Sequence, residues 1–201
     1  MEDVDHVSGA ADAIATDAMA AATVPPASLR SASYDDLNAL CRGITTSFVH
    51  LETRDAYGTE VELPRMAAWR RGEPDDESWL AWWLQMLRGH RAAGRTCRRA
   101  RVVSEPFSDY QRWTFSHVSL FVEAGEDIRY VSRRRLIDVL LPGSGDFYIF
   151  DDRLALFLHY AGSGTNTAFE ITEDTATVQR CLDAFAAVWA GGIPAGEYRP
   201  V

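Results

Sequence analysis

Apolar residues recur at helical spacing through Tyr34, Leu37, Leu40, Cys41 and Ile44, behind Ser33 as an N-cap and with Gly43 marking the end, which predicts a first short helix. From Ser47 to Glu52 the period changes to two, with Phe48, His50 and Glu52 set against Val49 and Leu51, and a strand is expected. Leu63 to Arg71 reads as a helix stopped by Gly72. The next helix is expected to start around Pro74-Asp75-Asp76 and to run over Ser78 to Ala93. Its acids Glu73, Asp75, Asp76 and Glu77 sit where a helix dipole favours negative charge. Trp79, Leu80, Trp82, Trp83, Leu84, Met86 and Leu87 make that helix apolar on more than one face, so core packing on two sides is expected in preference to an aromatic platform.

Arg95 to Val103 has the texture of a strand, with Cys97, Arg99, Arg101 and Val103 on one face and Arg98, Ala100 and Val102 on the other. A helix capped by Ser108 follows, with Tyr110, Trp113, His117 and Phe121 on one stripe and Phe115, Val118 and Val122 on another, until Gly125 ends it. Ile128 to Val131 is a short strand before Arg133-Arg134-Arg135, and Pro142 to Gly145 a loop. Asp146 to Phe150 and Leu154 to Tyr160 form a hairpin around Asp151-Asp152, and Ala168 to Thr172 adds a third antiparallel strand after the turn Gly162 to Thr167. Val178, Cys181, Leu182, Phe185 and Trp189 give a last amphipathic helix, ended by Gly191-Gly192 and Pro194. Helices and strands that alternate early, with a meander late, predict an α/β domain with an α+β tendency, a mixed sheet covered by helices.

Composition narrows the chemistry. A chain of 201 residues, 47% hydrophobic and 24% charged, fits one domain. Residues 1–33 are alanine-rich and acidic, close with Pro25-Pro26, and read as a disordered tail, leaving residues 34–201 as the domain. All 20 basic side chains are arginine, which excludes a Walker-A lysine, a lysine Schiff base and a lysine general base. The net charge of -9 argues against direct nucleic-acid binding by the whole chain. The apolar runs fall short of the roughly 18 residues that span a bilayer, and without a basic leader the expected location is the cytoplasm. Cys41, Cys97 and Cys181 are too scattered for a disulfide framework or a zinc knuckle, so no metal and no cofactor is expected.

The strongest local positive charge is the run Arg88, Arg91, Arg95, Arg98, Arg99 and Arg101, with no acid from Ser78 to Ser104. Two arginines two apart on one strand face can hold an oxyanion in a fork that lysine lacks, although pairing with the chain's surplus acids is the plainer reading. Candidate ligand residues are Arg99, Arg101, Glu105, Asp109, Arg112, Asp127 and Arg129. An alternative constellation for a general-base or metal-assisted hydrolase or nuclease acting on a phosphoester is Asp109, His117, Asp127, Asp151 and Asp152. Sequence spacing does not support it: none of the five histidines lies four residues from another, and paired aspartates at a hairpin are ordinary turn chemistry.

Four segments carry a family resemblance: Arg99 to Tyr110 (RARVVSEPFSDY), Ala124 to Ser132 (AGEDIRYVS), Asp146 to Arg153 (DFYIFDDR) and Ile193 to Tyr198 (IPAGEY). In this order and spacing they resemble an actinobacterial domain-of-unknown-function family encoded beside helix-turn-helix regulators. The resemblance runs from about Tyr34 to Tyr198 and implies an accessory of such a regulator. No catalytic residue comes with it. A fainter likeness is to a phospholipase D half-repeat, in which a strand such as Ile128 to Val131 precedes a pair like Phe147 to Leu156. That superfamily's histidine and lysine signature is missing, and the nearest positions offer Asp146 and hydrophobes. The expectation is therefore a non-enzymatic regulatory or interaction protein with a helix-turn-helix partner and a small anionic ligand.

Overall fold

The computed structural model describes residues 28–74, 77–143 and 145–200. The expected disordered tail lies outside them for residues 1–27. Within the stretch read as tail, Arg30–Ala32 forms a strand (β1) on the sheet edge. Ser33 is the N-cap of α1 (Tyr34–Gly43), its hydroxyl accepting from the Asp36 amide while the Asp36 carboxylate accepts from Ser33.

The elements follow in order: β2 (Ser47–Glu52), α2 (Glu62–Arg70), α3 (Ala81–Ala92), β3 (Thr96–Val103), α4 (Asp109–Ser116), α5 (Val118–Ala124), β4 (Glu126–Ser132), β5 (Asp146–Phe150), β6 (Leu154–Tyr160), β7 (Asn166–Thr172), α6 (Thr175–Ala190) and β8 (Ile193–Pro194). The eight strands form one mixed sheet in the order β1-β7-β6-β5-β2-β3-β4-β8. β2, β3 and β4 are parallel, joined through helices, whereas β5, β6 and β7 are the expected antiparallel meander. β2 and β5 lie mid-sheet and are buried along their whole length, because helices cover both faces.

α6 covers one face, packing Val178, Cys181, Phe185 and Val188 on Val49, Leu51, Ala100, Val102, Phe147 and Ile149. On the other, α1, α3 and α5 pack Leu37, Cys41, Leu84, Leu87 and Ala124 against Phe48, Cys97, Tyr148 and Phe150. α2 and α4 add Met66, Tyr110 and Trp113, with the Trp79 and Trp113 rings stacked at 5.9 Å.

Two helices differ from the sequence expectation. The segment from Ser78 begins as a 3-10 turn, Ser78–Leu80, behind Glu77 in the left-handed region (φ 56), and only then becomes α3. The single helix expected from Ser108 to Gly125 is broken at His117, whose buried ring donates from Nδ1 to the Trp113 carbonyl at 3.0 Å. The break lets α4 pack on α2 while α5 packs on α3 and β4. The hairpin turns through Asp151 and Asp152, both at positive φ (50° and 54°), which is the type I′ combination.

Candidate functional site

Parallel register converts the alternation of β2 and β3 into a polar patch within the helix-covered core. His50 lies beside Arg99 and Glu52 beside Arg101, while Arg101 faces Tyr130 of β4. Glu126 enters from the start of β4, opposite Cys97. Arg99 donates from Nε and Nη2 to Glu126 at 2.8 and 3.2 Å, and from Nη1 to Glu52 at 2.8 Å. Arg101 reaches the second Glu52 oxygen at 2.7 Å through Nε. Two guanidiniums and two carboxylates therefore neutralise one another inside the protein.

The electrostatics follow from that pairing. Burial by itself would raise the Glu52 carboxyl, but Arg101 and Arg99 outweigh it and hold the group down to about 2. Arg99 is charged deep in the core; burial opposes this, and Glu126 and Glu52 overcome it. His50 is held well below its ordinary value, first by burial and then by the two arginines. Its neutral ring stacks on Tyr148 with centroids 3.7 Å apart.

A second layer closes the carboxyl ends of β2 and β3. Asp146, which opens β5, accepts from the Thr53 amide and hydroxyl at 2.8 and 2.5 Å and from the Tyr57 hydroxyl at 2.5 Å. Its carboxyl is raised, chiefly by burial, and Glu62 is raised for the same reason under a hydrogen bond from Tyr110. Asp55 accepts from the Ser104 amide and hydroxyl and from Gln111, and Arg133 clamps this turn through Ser104 and the Thr53 carbonyl. Between the layers Glu52, Tyr57, Arg101, Tyr110 and Tyr130 enclose a cavity of about 10 Å³, the order of a single water's space. A wider cleft of about 370 Å³ lies elsewhere, between α1 and the β5–β6 hairpin.

The seven candidate ligand residues do not form one pocket. Arg99 and Arg101 face inward onto Glu52 and Glu126. Glu105 binds the Tyr198 hydroxyl near the C-terminus, at 2.5 Å. Asp109 pairs with Arg112 and Arg70 on the exposed start of α4. Asp127 is exposed, and Arg129 stacks on Trp189 on the opposite face of the sheet. The reason is the two-residue period: Arg129 and Asp127 point away from Tyr130, the residue facing Arg101.

The hydrolase constellation does not assemble either. Asp109 is surface-paired, His117 is sealed at the α4–α5 joint, and Asp127 and Asp152 are exposed. Asp151 is an anchor whose carboxylate accepts from the Thr45, Thr46 and Ser47 amides at 2.8–3.1 Å and from the Thr45 and Thr46 hydroxyls. Those donors hold its carboxyl far below the usual range despite the cost of desolvation. Among the described residues no cluster of three or more His, Cys, Asp or Glu groups could hold a metal.

Sequence reasoning missed Glu52, Glu126, Asp146, Asp55 and Tyr57 as site members. The available signal was Glu52 on the same strand face as Phe48 and His50, a charge in line with a core residue. Its partners, Arg99 and Arg101, come from 47 and 49 positions further along, which spacing does not reveal.

The family model described as Domain of unknown function (DUF6879) matches residues 35–200. The chain belongs to that family. No curated protein sequence matches it. Among solved structures it is similar to Nuc, a phospholipase D family member from Salmonella typhimurium, with a TM-score of 0.50 and 10% identity over 86% of this chain and 98% of that one. It also matches NucT from Helicobacter pylori, at a TM-score of 0.45 and 12% identity over 83% and 97% of the two chains. The likeness to Nuc is one of fold. Within this DUF6879 chain, Asp146 is locked onto Thr53 and Tyr57. No helix among the described residues is long and apolar enough to cross a membrane.

Proposed function

We propose that the protein is a non-catalytic interaction module on a phospholipase D-like fold, acting as an accessory of a helix-turn-helix transcriptional regulator. The supporting observation is the closed charge balance of Glu52, Arg99, Arg101 and Glu126. A hydrolytic site needs a nucleophile or base facing a space that substrate can enter. Here the arginines are saturated by carboxylates, His50 is neutral and buried, and the enclosed cavity is of single-water size. The partner reading rests on the gene neighbourhood that the family resemblance implies.

The purified chain is expected to show no turnover of bis(p-nitrophenyl) phosphate, single- or double-stranded DNA, or phosphatidylcholine with Mg²⁺, Mn²⁺, Zn²⁺ or Ca²⁺. Co-expression with the helix-turn-helix protein encoded beside it is expected to give a complex of fixed stoichiometry. Metal-dependent turnover abolished by Asp146→Asn would replace this reading with phosphoester hydrolysis, which has the similarity to Nuc in its favour.

A further inference from the structure

On the sheet face covered by α6, two arginines escape the pairing that saturates their neighbours. Arg98 precedes Ala100 by two residues on β3, and Ala100 faces Arg129 of β4, so both arginines point to the same side. The Arg129 guanidinium carbon lies 4.4 Å from the centroid of the Trp189 ring. That of Arg98 lies 5.7 Å from the same ring and 5.6 Å from Phe185, which stacks on Trp189 at 5.4 Å. Both side chains are half-buried, and the Nε of each is fully buried without a hydrogen-bond partner. Arg129 makes one hydrogen bond, from Nη1 to the Trp189 carbonyl at 3.2 Å. Asp127 is opposite Arg98 in register yet exposed, and no ion pair joins them.

We propose that Arg98 and Arg129, held on Trp189, form a binding site for a compact oxyanion, a phosphate or a carboxylate. Two cations placed against one indole repel each other, and among the described residues no ion pair neutralises either, Asp127 of the same face being exposed and unpaired with them, although the chain has 29 acids to 20 arginines. Stacking fixes each guanidinium plane while leaving N–H groups at its rim, so little ordering remains to be done when an oxyanion arrives. The fork geometry suits two oxygens on one centre. This site lies on the opposite face of the sheet from the ion-pair cluster and does not depend on a protein partner.

The test is thermal unfolding of the full chain in inorganic phosphate and, in a parallel series, succinate, each against sodium chloride of equal ionic strength. Wild type is expected to show a saturable rise in midpoint with phosphate, succinate or both. The half-saturating concentration is expected to increase at least tenfold in Arg98→Gln and Arg129→Gln and to stay unchanged in Arg88→Gln, an exposed arginine on α3. Arg98→Lys, which keeps the charge and the aliphatic stem but loses the planar fork, guards against a folding artefact and is expected to weaken binding as well. Equal responses in all variants, a rise matched by chloride, or no rise with either anion would reduce the arginines to packing on Trp189. None of these outcomes touches the partner reading, which is judged by the complex with the regulator.

Discussion

Glu126 and Arg99 sit on adjacent parallel strands, offset by two residues in register, and form a two-pronged ion pair in which the Glu126 side chain is 0% exposed. Such a pair adds little net stability over well-packed hydrophobes, but removing one partner strands the other charge in the core. Glu126→Ala is expected to lower stability by about 3–5 kcal/mol. Urea unfolding followed by tryptophan fluorescence would show this as a lower midpoint at similar slope.

Beside Asp151, Glu52 should contribute to the acid limb of stability. Its carboxyl sits at about 2 in the folded protein against 4.5 when unfolded, so its contribution is complete above the unfolded value and is lost as pH falls toward 2. The shift corresponds to about 3 kcal/mol. Asp146 and Glu62, raised by burial, work in the opposite sense: they favour the folded state at low pH and lose that contribution as pH rises past their unfolded values. Urea midpoints measured from pH 7 to pH 2.5 should fall in wild type, with a flatter profile in Glu52→Gln.

Asp151 ties the hairpin to the entry of β2 through three amides and two hydroxyls. Asp151→Ala loses the anchor and puts alanine at positive φ, so a loss of about 2–4 kcal/mol is expected. Asp151→Asn keeps the shape and tolerates the left-handed backbone, and should recover about half of that. Hydrogen exchange of the Thr45 to Ser47 amides would report the anchor directly, since they should lose protection in the alanine variant.

Gly145 packs against the Asp146 latch. A Cβ there would lie 2.6 Å from the Thr53 hydroxyl oxygen, and the backbone has φ of +75°. Gly145→Ala is therefore expected to push Thr53 off Asp146 and to cost about 1–3 kcal/mol. Combining it with Thr53→Val should be less than additive in denaturant midpoints, because the two changes break one contact.

Local structure was readable where neighbouring residues decide it. The Ser33 and Ser108 caps, the Asp151-Asp152 turn, the β5–β7 meander and the α6 amphipathicity all rest on interactions within a few residues, which spacing and residue type encode directly. The same holds for the missing lysine and the family segments, which are properties of the chain itself. His117 marks the limit: its helical spacing is real, but packing of α4 and α5 on different neighbours breaks the helix there.

Tertiary register decided the chemistry. Alternation along β3 separates Arg99 and Arg101 from Arg98, but it does not say which side will meet acids. Glu52 and Glu126 lie 47 and 27 positions from Arg99, and only the parallel alignment of β2, β3 and β4 brings them to the same face. A charge in the core must be paired because desolvation is costly, so those carboxylates consume the arginines that looked most available. Arg98 and Arg129 meet aromatic rings of α6 instead.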